Sequence, residues 1–251
     1  MVAATGCSPA AAPPRDTGLG AGVPAVGACR VLTTADIEPA GNETPTVPCT
    51  SPHTSVTIAV GGFLAARVTN MSLTNGTLGN EALRRCTAAW QRTVGGDATS
   101  QHTSLLGLAY YLPNQAELTK GARWYRCDLV MGGQDGLRLQ NLPDQVTGLL
   151  AGTVSDSVRA CRTTPEFTTG REVPCDRAHV LRAIGTARLP NQSTYPGKAA
   201  LRSASAKGCT RVITRWLHGR VTGGDAYQWP DETGWEVLGD HTATCWTATT
   251  R

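Results

Sequence analysis

The chain has 251 residues, a net charge of +4, 28 Gly, 15 Pro and only 5% aromatic residues, with Phe at two positions. That mild charge, without a basic run, gives nucleic-acid binding no footing. The longest apolar stretch, around Leu105 to Leu112, is far short of the ~20 residues a spanning helix needs. Length leaves room for two small domains, and a chain this poor in large side chains needs more than packing to hold it.

Nine cysteines supply a candidate: Cys7, Cys29, Cys49, Cys86, Cys127, Cys161, Cys175, Cys209 and Cys245. None forms a Cys-x-x-Cys pair, so zinc-ribbon and thioredoxin readings lack their spacing. Eight are spread over the body of the chain and read as disulfides, which persist in oxidising compartments. Export is the expectation. Cys7 stands apart. Ala4-Thr-Gly-Cys7 resembles a bacterial lipobox, although Ala4 stands where lipoboxes favour Leu. The charged and apolar parts of a signal peptide are expected upstream of Met1. Cys7 is the expected lipidation site, since an exposed free thiol outside the cell is a liability.

Residues 1–28 read as this lipobox-like start followed by a Pro/Ala/Gly-rich tether, extended rather than compact. Gly18-Leu-Gly-Ala-Gly22 follows no strand and opens no helix, so it is not a nucleotide loop. Residues 29–157 read as a first repeat with a connecting segment, and residues 158–251 as a second. Cys29-Arg30 and Val47-Pro-Cys49, with His53 four residues on, match Cys161-Arg162 and Val173-Pro-Cys175, with His179 four residues on. Alternating Val56, Ile58 and Val60 predict a strand. Ala82, Leu83, Cys86, Ala89 and Trp90 share one helical face, and Lys198 to Leu217 carries Cys209 on a second helix. Gly95-Gly-Asp97 and Gly223-Gly-Asp225 signal turns. Pro113-Asn, Gly121 and Cys127 match Pro230-Asp, Gly239 and Cys245. The piece from Asp128 to about Val158 reads as a short strand and then a connecting helix. The fold class is α+β: two tandem disulfide-stapled repeats, each a small antiparallel sheet with a packed helix.

Four cysteines allow three connectivities in each repeat. Spacing favours Cys29–Cys49 and Cys161–Cys175 across the ends of a loop of variable length. It favours Cys86–Cys127 and Cys209–Cys245 between a helix and a returning strand.

Val47-Pro-Cys49-x-x-Pro52-His53, then Gly121-x-x-Trp124-x-x-Cys127, then the second Val-Pro-Cys175 resemble the septum formation family of actinobacteria over about residues 29 to 246. In the second half Ala178 replaces the Pro before the His, and no Trp stands three residues before Cys245. The resemblance implies an exported, membrane-linked protein of the dividing cell. It supplies no enzymatic activity.

The residues themselves carry little catalytic chemistry. Cys49-x-x-x-His53 and Cys175-x-x-x-His179 could be half of a zinc site, but no second ligand pair accompanies them. No metal or cofactor is predicted; His53 and His179 read as turn-capping or binding residues. Ser155-Asp-Ser157 lacks the nucleophile elbow, and no His-Glu-x-x-His occurs. Trp90, Trp216, Trp229 and Trp235 read as core, Trp124 and Trp246 as packing beside disulfides. Exposed aromatics could instead stack on wall sugars or anchor a protein interface.

Two functions fit. The preferred one is a non-enzymatic envelope binding module on the extracytoplasmic face of the cell membrane, lipid-anchored, with division or envelope proteins or cell-wall glycan as partner. The other is a cell-wall-active hydrolase whose site is assembled only in three dimensions.

Overall fold

The computed structural model describes residues 18–37, 41–63, 76–132, 138–166, 171–219 and 224–249. Cys7, Leu137 and Gly223 lie outside them, as does most of the expected tether.

Two antiparallel sheets carry the chain. The first uses β1 (Cys29–Arg30), β2 (Ser55–Gly62), β3 (Leu106–Tyr111) and β4 (Trp124–Met131) in the order β1-β2-β4-β3. The second uses β5 (Ala160–Arg162), β6 (Glu172–Pro174), β7 (Leu181–Arg188), β8 (Ala226–Gln228) and β9 (Thr242–Ala248) in the order β6-β5-β7-β9-β8. Without β6 the two orders match strand for strand. The first half keeps a remnant of the β6 pairing, a single bridge from Cys29 to Val47.

Six helices stand among the described residues: α1 (Thr34–Ile37), α2 (Gly76–Val94), α3 (Ala98–His102), α4 (Gln115–Thr119), α5 (Lys198–Trp216) and α6 (Glu232–Glu236). On α2 the buried Leu78, Ala82, Cys86 and Ala89 recur every three or four residues, the spacing of one helical face. On α5 Leu201, Ser205, Gly208, Cys209 and Ile213 are buried. The short α4 and α6 explain the paired Pro landmarks. Asn114 caps α4 in a full capping box, and Asp231 caps α6 by accepting from Gly234 N. Gly121 and Gly239 follow these helices at φ of 86° and 66°. That left-handed conformation favours glycine, and it turns each chain into its central strand.

The four disulfides are Cys29–Cys49, Cys86–Cys127, Cys161–Cys175 and Cys209–Cys245, the pairs that spacing favours. Cys127 and Cys245 sit in the central strands β4 and β9, so two of the bonds weld a helix onto the middle of a sheet. Each neighbouring strand has a register shift at the same place, between Thr57 and Ala59 in β2 and between Ala183 and Gly185 in β7. The extra residue is Ile58 in one and Ile184 in the other. Such a bulge turns the following side chains to the opposite face. It sets the small Ala59 and Gly185 opposite the bonded cysteines.

The largest core belongs to both halves. Val56, Leu106, Leu129 and Met131 of the first sheet join Leu142, Leu150 and Val158 of the connection and Leu181, Ala183 and Trp246 of the second sheet. Backbone bonds run between the halves as well: Leu105 N donates to Val158 O at 2.8 Å, and Ala160 N to Thr103 O at 2.9 Å.

Three expectations need correction. The connecting segment forms no helix over residues 138–158; it runs as turns, apart from a single bridge between Gly132 and Leu139. Pro143 and the left-handed Gly148 and Gly152 break the helical repeat, and Gly148 N and Leu150 N bond instead to Thr93 O and Val94 O. The last part of the tether lies against the first sheet: Arg123 N donates to Leu19 O at 2.8 Å, and Gly27 N to Thr57 O at 2.8 Å. Trp216 is 43% exposed and is not a core residue.

Each repeat also buries the Arg that follows its first cysteine, with a carboxylate from a different strand. In the first, Asp128 accepts from Ser55 Oγ at 3.1 Å and Thr57 Oγ1 at 2.8 Å and lies 3.1 Å from Arg126 Nε and 4.0 Å from Arg30 Nη1. Burial and the neighbouring Arg126 lower the Arg30 pKa, and Asp128 opposes them. In the second, Arg162 meets Glu172 at 3.3 Å, while Trp246 occupies the position that matches Asp128. Asp128→Asn leaves two buried guanidiniums without their carboxylate. It is expected to cost about 3–5 kcal/mol in denaturant unfolding of the oxidised chain, and a loss under ~1 kcal/mol would contradict the assigned role.

Candidate functional site

The first Gly-Gly-Asp builds one wall of a cleft. Gly95 and Gly96 are left-handed, at φ of 69° and 72°, and a Cβ on Gly96 would meet Leu150 O at 2.5 Å. Asp97 then caps α3, accepting from Ser100 N at 2.7 Å. That donation holds its carboxyl below the usual range. The chain is thereby turned so that α3 lies across β7 of the other half. There Thr99 Oγ1 and Thr186 Oγ1 share a hydrogen bond of 2.8 Å, and Thr244 Oγ1 donates to His102 O at 3.4 Å.

Between the halves opens a cleft of about 780 Å³. The first half contributes residues of α2, α3 and β3, among them Thr87, Trp90, Gln91 and His102. The second contributes the ends of β7 and β8 and the approach to β9, among them Asn191, Gln228, Trp229 and Asp240. His102 Nε2 lies 3.5 Å from Asp240 Oδ1 with both side chains partly exposed, so one polar pair spans the two halves. Trp229 lies beside Tyr227, ring centroids 6.3 Å apart. The buried Nε1 of Trp90 has no hydrogen-bond partner among the described residues. His241 also lines the cleft, its ring 4.1 Å from that of Trp235.

Neutral amides and hydroxyls outnumber charges in this lining, and two indoles flank them. Asp240 is the sole carboxylate among the described lining residues. Glycoside hydrolysis by the usual route needs a pair of carboxyl groups. A hydroxyl nucleophile would need a base within hydrogen-bond reach, and among the described residues no hydroxyl bonds to a ring nitrogen of His102. The arrangement can bind a polar ligand with flat apolar faces, by amide and hydroxyl hydrogen bonds and by stacking on tryptophan.

The binding residues expected from the sequence, His53, His179 and Trp124, lie elsewhere. His53 is buried, and its Nδ1 bonds to Ser51 O at 2.8 Å; His179 repeats this with Arg177 O at 2.7 Å. Each histidine thus closes the turn before its strand. Trp124 is buried and donates from Nε1 to Ala21 O at 3.3 Å. None of the three lines the cleft. Among the described residues no group of His, Cys, Asp and Glu could hold a metal ion, and no helix is long and apolar enough to cross a membrane. His102 and Asp240 were not foreseen; the turn glycines and Pro230-Asp mark their neighbourhood but not their meeting.

A family model described as "Septum formation" matches residues 26–245. The chain belongs to the septum formation family. No curated protein and no solved structure matches it. The family match runs through both halves and ends at Cys245 in β9, so both walls of the cleft lie within the septum formation region.

Proposed function

We propose that this septum formation protein is exported, held on the extracytoplasmic face of the cell membrane by lipid on Cys7, and acts in septum formation as a non-catalytic module that binds cell-wall glycan in the cleft between its halves. The lining of that cleft carries the reading: two tryptophans among neutral amides and hydroxyls. Sugar rings offer hydroxyls for the amides and a C–H face for the indoles. A protein partner would call for a more apolar centre. Four disulfides support an oxidising compartment.

One observation favours a hydrolase, the His102–Asp240 pair inside the cleft. Among the described residues, the lone carboxylate and the lack of a positioned nucleophile weigh against it.

Cosedimentation with purified cell-wall sacculi tests the binding. The oxidised wild type is expected to be retained, and Trp229→Ala to bind about tenfold more weakly, the loss of ~1.4 kcal/mol of stacking and burial. Failure of the wild type to cosediment would overturn the glycan assignment, and release of soluble wall fragments would favour the hydrolase. The anchor is tested by metabolic labelling with a clickable fatty acid in cells expressing the chain with its export signal. Labelling is expected in the wild type and absent from Cys7→Ala; equal labelling of the two would contradict lipidation there.

A further inference from the structure

A second, smaller pocket of about 490 Å³ lies where the Asp156 turn, β7 and the C-terminal end of α5 meet. It shares no lining residue with the inter-repeat cleft. Two guanidiniums face one carboxylate there. Arg182 takes both oxygens of Asp156, Nη1 to Oδ2 at 3.2 Å and Nη2 to Oδ1 at 2.5 Å. Arg159 is left at a distance, its Nε 3.8 Å from Asp156 Oδ1, beyond hydrogen-bond reach. Arg159 donates from Nη2 to Val154 O at 3.2 Å, while its buried Nε has no hydrogen-bond acceptor among the described residues. Burial and the adjacent Arg182 lower the Arg159 pKa against the pull of Asp156, in keeping with a pocket that holds more positive than negative charge.

The apolar side of the pocket is equally specific. Ile184, the bulge residue of β7, and Trp216 line it. Trp216, at 43%, is the most exposed tryptophan. Joining Asp156 to β7 does not require an exposed indole beside the ion pair. A guanidinium binds carboxylate and phosphate oxygens through fixed, forked donors, and an indole edge or face covers whatever apolar group carries them.

We propose that this pocket binds an oxyanion, a carboxylate or phosphate borne on a larger ligand, held by Arg159 and Arg182 with Trp216 against the ligand's apolar part. The incoming charge balances the second guanidinium without displacing Asp156 from Arg182. The inference does not rest on the glycan reading of the cleft.

Intrinsic-fluorescence titration of the full oxidised chain tests it, with Trp216→Phe to assign the signal. The probes are acetate, inorganic phosphate, N-acetyl-alanyl-alanine and its C-terminal amide, with sodium chloride at matched ionic strength. A saturable change is expected with the dipeptide acid and acetate if carboxylate is the source, or with phosphate if phosphate is. The amide and chloride should give none. Arg159→Gln is expected to weaken binding at least tenfold, and Trp229→Ala in the cleft to leave it unchanged. Should Arg159→Gln not fold, Arg159→Lys keeps the charge, loses the planar fork and is expected to weaken binding likewise. A non-saturating response to every salt alike, or unchanged affinity in the folded Arg159 variant, would overturn the proposal.

Discussion

A disulfide between a helix and the middle of a sheet demands that the two backbones approach closely, and much of this molecule follows from that demand. Cys86–Cys127 and Cys209–Cys245 both bring Cα atoms to 5.2 Å. Large side chains around such a bond would wedge helix and sheet apart. Small residues stand where helix and sheet meet, Ala82 and Ala59 in one half and Gly208, Gly185 and Ala187 in the other, while Phe63 and Tyr125 or Trp235 complete each cluster. A Cβ on Gly208 would come within 2.7 Å of Ala187 Cβ, and one on Gly185 within 2.8 Å of Val212 Cγ1. In the chain-entropy treatment each bond, closing separations of 41 and 36 residues, contributes about 4 kcal/mol. That offsets the burial that small side chains forgo.

The β-bulges serve the same demand. Before Ile58 and Ile184, Val56 and Ala183 face the core shared by the halves; after them, Ala59 and Gly185 stand opposite the bonded cysteines. One strand therefore supplies two cores. The second sheet can hold its helix on one face and pack Trp246 against the first half with the other. The inter-repeat cleft is the unfilled remainder of that packing. Its floor is pinned by Thr99–Thr186 and by the contact of Thr244 with His102 O.

What could be read in the sequence follows which constraints are local. Cysteine spacing, the Pro-Asn and Pro-Asp caps and the glycines at 121 and 239 act within one repeat, and they outlined both sheets, both long helices and the disulfide pairs. The apolar run from Leu137 to Leu150 looked helical because its leucines are spaced for a helix. Pro143 and two left-handed glycines decide otherwise. His102 and Asp240 meet only because α3 crosses onto β7, which no local pattern encodes. The buried carboxylates were hidden similarly: Asp128 and Glu172 reach equivalent arginines from non-equivalent strands. Trp216 ends a helix whose other face is buried, which is why its position reads as core, but it lines the pocket of Arg159 and Arg182 instead.

The halves share one core that neither completes alone, so neither half is an independent unit. Differential scanning calorimetry of the oxidised chain beside the Cys86→Ser/Cys127→Ser and Cys209→Ser/Cys245→Ser pairs tests this directly. A single transition is expected for the wild type, with calorimetric and van't Hoff enthalpies in agreement, and a single transition at lower Tm in each paired variant. Two transitions in the wild type, with each variant shifting only one of them, would contradict it.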